Sequence, residues 1–561
     1  MRRSSVLTII AISCVLFAAA ALRLHSKSNF AFAAQAQTQN FEVKTVAAQP
    51  AAVHPVKETV PASVKPADIP ALQPTAAPGT EIYTAKRGEA IPTIARRYLG
   101  RTSYLTSADL SDAIRQVNKK DNGGRSGNIL KANENIVIPG ILAAPIVEKT
   151  IPVPKDFEVR AVYLTGIMAG SDHGLRIIRH WREVGGNAVV FDIKDSDGSV
   201  NIPFEHPLLG KHNIYLHDVP KFVHFLHSEN MHAIARIAIF RDQRLVTEHP
   251  ELAVKSKRTG QPWRENGKLV WTDPSNPKVQ EYNIALAKYV AGLGVDEIQF
   301  DYVRFPAEGD QKDASFVFQA NPHDPCVDNG PCGDGRTARP AEAKQGGTST
   351  EAESVQPETG KTAKAGKKHP EIRPAGPQRS DVIVGFLKKA YAEIHPTGAL
   401  LSLDVFGVMA WQRQVDLSHT GQDIVGMAHY CDVLSPMIYP SHFFGMDNIA
   451  RPGDAPEHFI GESMDRFELI TKGSGVVIRP WLQAFHWRTR TYSPEYIKVQ
   501  VATAKEKGGI GFLFWNAAND YSKPFIAMPE MRDANAKEKD KFFRGDELPA
   551  TAVRASLAVA N

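Results

Sequence analysis

Eight short apolar runs alternate with segments of helical spacing over most of the chain, and no glycine-rich phosphate loop follows the first run. Together these predict an α/β fold, a (β/α)8 barrel whose parallel strands are covered on both faces, preceded by a small α+β module. An open doubly wound sheet is the competing architecture, and it lacks its usual dinucleotide or phosphate loop here. The length of 561 residues points to more than one domain, and 43% hydrophobic content excludes global disorder. Sixty-six basic against 61 acidic residues leave a formal charge of +5, which predicts no nucleic-acid partner.

From the start, Arg2 and Arg3 precede an apolar run over 6–22, so residues 1–36 read as an export signal. A small-residue site at 31–36 predicts cleavage, with a retained membrane anchor as the alternative. Either way the chain is expected outside the cytoplasm: periplasmic, in the cell envelope or secreted. Cys14 has too few residues before it for a lipoprotein signal. Residues 37–80, rich in Ala, Pro, Val, Thr and Gln, read as a disordered linker. A compact module spans 81–140, and a second linker rich in Pro and Val spans 141–156.

The barrel is expected over 157–530, with strands at 159–165, 187–194, 232–240, 296–304, 400–407, 431–439, 476–485 and 510–516. Helices are expected at 175–184, 219–229, 277–293, 381–394, 463–471 and 494–507, several opening on a Pro or a small polar cap. The weakest helical pattern is 421–429. An insertion at 307–379, largely disordered and poorest in apolar residues over 340–377, interrupts the repeat after strand four, on the face where barrel sites are built. Residues 531–561 form a tail. Cys326 and Cys332 flank a tight turn and in an oxidising compartment would close a small disulfide loop, while Cys431 reads as a buried thiol. His173, His206, His212 and His217 are scattered, so neither a metal nor a cofactor is expected.

Within the module, 83–98 reads as a strand, a Gly turn and a helix packing Ile91, Ile94, Ala95 and Tyr98. A second helix follows around 113–118 and a strand at 135–139. This resembles a lysin motif (LysM). The resemblance implies binding of N-acetylglucosamine-containing glycans, chiefly peptidoglycan, between the loops 87–92 and 119–129. A degenerate module serving as a spacer is the plain alternative.

The fourth strand carries the strongest chemical signal, because Asp301 closes a run that is otherwise apolar at alternate positions. A structural Asp there would pair with Arg304 or Arg236. Taken with Val162-Tyr-Leu-Thr165, Phe191-Asp-Ile-Lys-Asp195, Trp271-Thr-Asp-Pro-Ser-Asn-Pro277, Phe300-Asp-Tyr-Val-Arg-Phe-Pro306 and Leu434-Ser-Pro-Met-Ile-Tyr-Pro440, the large domain resembles a glycoside hydrolase family of TIM-barrel fold, distantly α-amylase-like. The resemblance implies cleavage of a polysaccharide by two carboxyl groups. Asp301 is then the nucleophile or base. Asp404, on the neighbouring strand, is the candidate acid, although relatives usually place Glu there. Asp192 either supplies the acid or orients a hydroxyl, and its plain alternative is an ion pair within the cluster formed with Lys194 and Asp195.

Sugar sites stack aromatic rings on pyranose faces and place a few polar groups for hydroxyls. Tyr163, Tyr302, Trp411, Tyr439, Trp481, Phe485, Trp487 and Trp515 fall at or after strand ends, and Gln483, Asn516 and His442 are candidate hydroxyl partners. The substrate-binding set is completed by Lys194, Asp195, Arg236 and Arg304. A non-catalytic glycan-binding envelope protein on the same scaffold is the alternative function.

Overall fold

The computed structural model describes residues 77–120, 128–320 and 377–531. The expected export signal, most of the first linker, the Cys326–Cys332 loop, the low-complexity part of the insertion and the tail beyond 531 lie outside these residues. Among the described residues, no helix is long and apolar enough to cross a membrane.

The N-terminal module runs strand, helix, helix, strand: β1 (Thr80–Thr84), α1 (Ile91–Tyr98), α2 (Ser107–Val117) and β2 (Asn135–Pro139), with β1 antiparallel to β2. Ile91, Ile94, Ala95, Leu110, Ile114, Ile136 and Ile138 close its core. The first helix starts at Ile91-Pro92, where a missing N–H costs nothing, and the second is capped by Thr106, whose hydroxyl accepts from Asp109 N.

Eight parallel strands follow and close on themselves: β3 (Val159–Leu164), β4 (Ala188–Lys194), β5 (His232–Ala238), β6 (Glu297–Asp301), β7 (Leu400–Phe406), β8 (Val433–Met437), β9 (Val477–Ile478, resuming at Trp481–Gln483) and β10 (Gly511–Trp515). Closure comes from the β10–β3 pairing on one side and β7–β8 on the other. The break in β9 falls at Pro480, which has no N–H to give to a neighbour. The fourth strand stops at Asp301 rather than running to 304. Tyr302 turns the chain with φ +55°, and 302–306 folds over the barrel mouth.

Strand side chains alternate. Val162, Leu164, Val189, Phe191 and Ile193 point outward into the helix layer, while Val159, Ala161, Tyr163, Ala188, Val190, Ile234, Trp481 and Leu513 fill the interior. The helix layer contains α3 (Asp172–Glu183), α4 (Val219–Ser228), α5 (Pro277–Ala291), α6 (Arg379–Ile394), α7 (Gln414–Thr420), α8 (Ile424–Met427), α9 (Pro456–Thr471), α10 (Pro494–Glu506) and α11 (Ser522–Met531). Ser171, Asp218, Asn276 and Ser493 cap four of them. On α3, Leu175, Ile178 and Trp181 face the strands, and the Trp181 indole N–H donates to Arg160 O. Burying such an aromatic contributes about 2–3 kcal/mol. The ninth helix begins at Pro456, earlier than its apolar periodicity suggests, and α11 has no counterpart among the expected helices.

Two expected loops are structured. Residues 307–320 pack back onto the barrel through buried Ala314, Phe316 and Phe318, with Ala314–Ser315 pairing to Lys255–Ser256, because these apolar side chains have a surface to cover. The second linker is a strap beneath the barrel, not a free tether. Glu148 bonds His224 at 2.7 Å and lies 3.3 Å from His227, and Ile151 N donates to Asp296. The module itself is seated on α3 and α4. Lys221 Nζ donates to Leu99 O at 3.0 Å, Thr106 bonds Asp172, and Arg179 meets Asp109 at 3.8 Å.

Candidate functional site

The interior layer nearest the C-terminal strand ends is ionic. Asp192 on β4, Arg236 on β5, Asp301 on β6 and Asp404 on β7 occupy neighbouring strands with all four side chains directed inward. Strand register makes this unavoidable. Asp192 pairs with Arg236 across β4–β5, and the β6–β7 ladder that joins Phe300 to Leu403 continues to Asp301 beside Asp404.

Arg236 is the hub. Its Nη1 reaches Asp192 Oδ1 at 2.5 Å, and its Nε and Nη2 reach Asp301 Oδ2 at 3.2 and 2.5 Å. Asp404 Oδ2 lies 3.9 Å from the same Nε. Because Asp301 and Asp404 approach one nitrogen, their Oδ2 atoms are no more than about 7 Å apart. Arg236 also lies over the rings of Tyr163 and Trp515, 5.5 and 5.3 Å from their centroids. Stacking, two bonds to one Asp301 oxygen and the bond to Asp192 hold its plane.

Each carboxyl has a distinct environment. Asp301 Oδ1 accepts the backbone N–H of Tyr302 at 2.6 Å, drawn in by the left-handed turn. Asp404 Oδ1 accepts the indole N–H of Trp481 at 2.6 Å. Burial, reinforced by the charge of Asp301, pushes the Asp404 carboxyl well above the usual range against Arg236 and the Trp481 bond. Asp192 accepts the Tyr163 hydroxyl at 2.5 Å and is fully enclosed, and burial pushes its carboxyl up to about 7 against the pull of Arg236.

Asp301 and Asp404 open into a cleft, together with Tyr302, Arg304, Tyr439, Phe485 and Trp515. Tyr439 is buried near both carboxyls, and burial followed by their charges raises its phenol well above the usual range. The opposite wall is Phe406, Phe443, Phe444 and Met446, with His442 between Tyr439 and Trp487. Sequence reading missed these residues except His442. They come from the end of β7 and the 440–446 turn, where neither periodicity nor a motif marks them. Gly407 sits at the cleft floor because a Cβ there would come within 2.6 Å of Met437 O.

Several expected site residues are not brought to this cleft. Asp192 buttresses Arg236 and lies behind the lining. Lys194 has the opposite parity after a bulge in β4 and is locked by Asp242 at 2.7 Å and Asn283 at 3.0 Å, so it is structural. Asp195 caps the 195–199 turn, with Gly198 N donating to its carbonyl. Trp411 packs under the rim against Phe443 with Arg466 over its face. The amide of Gln483 is spent on Phe485 O, Trp487 O and Ser441 N, and that of Asn516 on Ala484 O, Asp520 O and Ala518 N. Neither amide is left for a sugar hydroxyl. Tyr163 and Trp481 act beneath the cleft through Asp192 and Asp404. Arg236, not Arg304, pairs Asp301.

A family model described as "Putative glycosyl hydrolase domain" matches residues 161–521. No curated protein matches the chain. Among solved structures, a hypothetical protein of Ruminiclostridium thermocellum is 29% identical, with 44% of this chain and 97% of that one covered and a TM-score of 0.31. The PgaB (BpsB) glycoside hydrolase domain of Bordetella bronchiseptica is 12% identical over 69% of this chain and 98% of that one, at TM-score 0.42. The spore cortex-lytic enzyme SleL of Bacillus megaterium is 10% identical over 81% and 86%, at TM-score 0.35.

Proposed function

Because the chain belongs to this glycosyl hydrolase family, we propose that its barrel cleaves a glycosidic bond of a cell-envelope or extracellular polysaccharide, with Asp404 as acid and Asp301 as nucleophile. The observation that carries the reading is the approach of Asp301 and Asp404 to one guanidinium from adjacent strands. It keeps their oxygens within about 7 Å, a bound that admits the closer spacing of a retaining pair. Asp404 keeps its proton, and with Oδ1 held by Trp481 the proton resides on Oδ2. From there it passes to the glycosidic oxygen as the bond to the leaving sugar breaks.

The Asp301 carboxylate, oriented by Arg236 and by Tyr302 N–H, attacks the anomeric carbon and forms a glycosyl ester. Asp404, now ionised, takes a proton from the water that opens the ester, and the sugar leaves with its configuration retained. Tyr439, Phe485 and Trp515 offer ring faces to the pyranose.

The strand, helix, helix, strand order of the small module supports a lysin motif that holds N-acetylglucosamine-containing glycan, chiefly peptidoglycan, through its 87–92 loop. Its second expected loop lies partly outside the described residues. Seated on α3 and α4, the module presents glycan beside the barrel at a set offset and raises the local substrate concentration. Export through residues 1–36, cleaved or retained as an anchor, puts both parts in the cell envelope.

The test is release of reducing ends from a polysaccharide panel by the full chain and by Asp301→Asn and Asp404→Asn. Wild type is expected to turn over at least one polymer, and each variant to lose about 10²-fold or more while remaining folded. Glycan binding without turnover on any polymer would replace this reading with the non-catalytic envelope protein.

A further inference from the structure

Arg304 is a cation the reaction above leaves unused. It stands three residues beyond Asp301, lines the same cleft and is 6% exposed. Its guanidinium is held between two rings, 4.6 Å from the Trp271 centroid and 4.4 Å from that of Phe406. Nη1 donates to Phe305 O at 3.1 Å. Among the described residues no carboxylate lies within ion-pair distance of it, and its Nε and Nη2 find no acceptor and are not sealed in the interior.

Its neighbours are treated differently. Arg236 has Asp192 and Asp301, Arg413 has Asp416 at 2.5 Å, and Arg479 has Glu297 at 2.8 Å. A guanidinium keeps its charge in any protein environment, and the burial of this one is opposed only by the more distant charges of Glu265, Asp301 and Glu308, none of which bonds it. The free Nε–Nη2 edge is the side-on fork that fits a carboxylate with two parallel bonds. Arg241, donating to the Tyr302 hydroxyl at 2.8 Å, adds a second positive charge one ring away.

We propose that Arg304 recognises a carboxylate carried by the sugar substrate, so that the polysaccharide is acidic. The inference rests on the hydrolase reading of the same cleft and adds the substrate class to it. Two kinds of sugar carry such a group beside a pyranose ring: a uronic acid, and an amino sugar with a lactyl ether. The sandwich of Trp271 and Phe406 sets the plane in which the carboxylate must lie. A neutral sugar at this point offers hydroxyl oxygens as acceptors but no opposite charge, so its bonds to the guanidinium are the weaker kind.

The experiment compares matched probes on the full chain. One pair is an oligogalacturonate and its methyl ester; the other is an N-acetylglucosamine/N-acetylmuramic acid tetrasaccharide with a free lactyl carboxyl and its methyl ester. Affinity is read by calorimetry and turnover by reducing ends. One acid form is expected to bind about 10-fold or more tighter than its ester, and Arg304→Met to abolish that preference while Arg304→Lys restores part of it. Which pair discriminates identifies the source of the carboxylate. Equal binding of acid and ester in both pairs, or binding of neither, overturns the proposal without recourse to the variants. Acid-selective binding with no turnover on any glycan leaves the proposal standing and overturns the hydrolase reading instead.

Discussion

Replacing Trp481 by Phe tests the acid assignment most directly, because it removes the N–H that Asp404 accepts, together with part of a buried ring, and keeps an aromatic face toward Tyr163 and Trp515. In wild type that N–H donates to Asp404 Oδ1 at 2.6 Å and favours the ionised carboxylate, opposing burial and the charge of Asp301. A hydrogen bond to a charged group contributes about 1.5–3 kcal/mol, and a pKa unit corresponds to about 1.4 kcal/mol. Its loss therefore raises the Asp404 pKa by about 1–2 units. An acid must be protonated to work, so the basic limb of the pH–rate profile is expected to move upward by that amount. The plateau rate falls, since the carboxyl has lost what orients it. The same displacement is expected in a carbon-13 NMR titration of labelled aspartate carboxyls, which needs no substrate. A basic limb that stays in place while the NMR titration moves would show that a group other than Asp404 protonates the leaving oxygen, and a downward move in both would refute the electrostatic account.

Three further outcomes are expected. Proton NMR of the first product should show the anomeric configuration of the substrate, and inversion would remove Asp301 from the nucleophile's role. His227, buried against Glu148 and Asp296, is raised to about 9 from an unfolded value near 6.5, its partners outweighing desolvation. Its stabilisation, about 3 kcal/mol, is therefore fully present below pH ~6.5 and lost as pH rises through about 9. In urea unfolding from pH 5.5 to 10, His227→Gln should lack that decline, and parallel curves for the two proteins would contradict the assignment. Lys194→Met should cost about 3–5 kcal/mol by stranding Asp242, yet leave the rate per folded molecule unchanged; a selective loss of activity would return Lys194 to the site.

The barrel was legible in the sequence because its strands are buried on both faces, so runs such as Ala188–Lys194 are almost wholly apolar and stand out between amphipathic helices. The positions of Asp301 and Asp404 were legible for the same reason: a carboxylate stands out at the end of such a run, and both line the cleft. The reading failed where several partners compete for one polar group. Gln483 and Asn516 have the chemistry to bind hydroxyls, but backbone carbonyls of their own loops take their amides, and that depends on how loops 484–487 and 516–520 fold. Lys194 failed through a one-residue shift, since the bulge after Asp192 reverses which face its side chain meets. The Phe443–Phe444–Met446 wall was invisible because its residues lie in a turn with no period to betray them.

The ionic layer is itself an argument about function. Asp192, Arg236, Asp301 and Asp404 are each at most 4% exposed, and withdrawing such groups from water costs more than their mutual attraction reliably returns. Apolar side chains of similar volume would fill a barrel interior more stably, as they do one layer below at Ala161, Val190, Ile234 and Leu513. The cost is instead concentrated at the layer that opens into the cleft, and every member points toward one result: Asp192 and the Tyr163 and Trp515 rings fix Arg236, Arg236 fixes Asp301, and burial together with the charge of Asp301 raises the Asp404 carboxyl. Asp192→Asn should accordingly lower the rate while costing less stability than Lys194→Met, because Arg236 keeps Asp301 as its counter-ion and only the hub loosens. A variant less stable and equally active would mean that the layer exists for the fold, and the case for Asp301 as nucleophile would lose its electrostatic support.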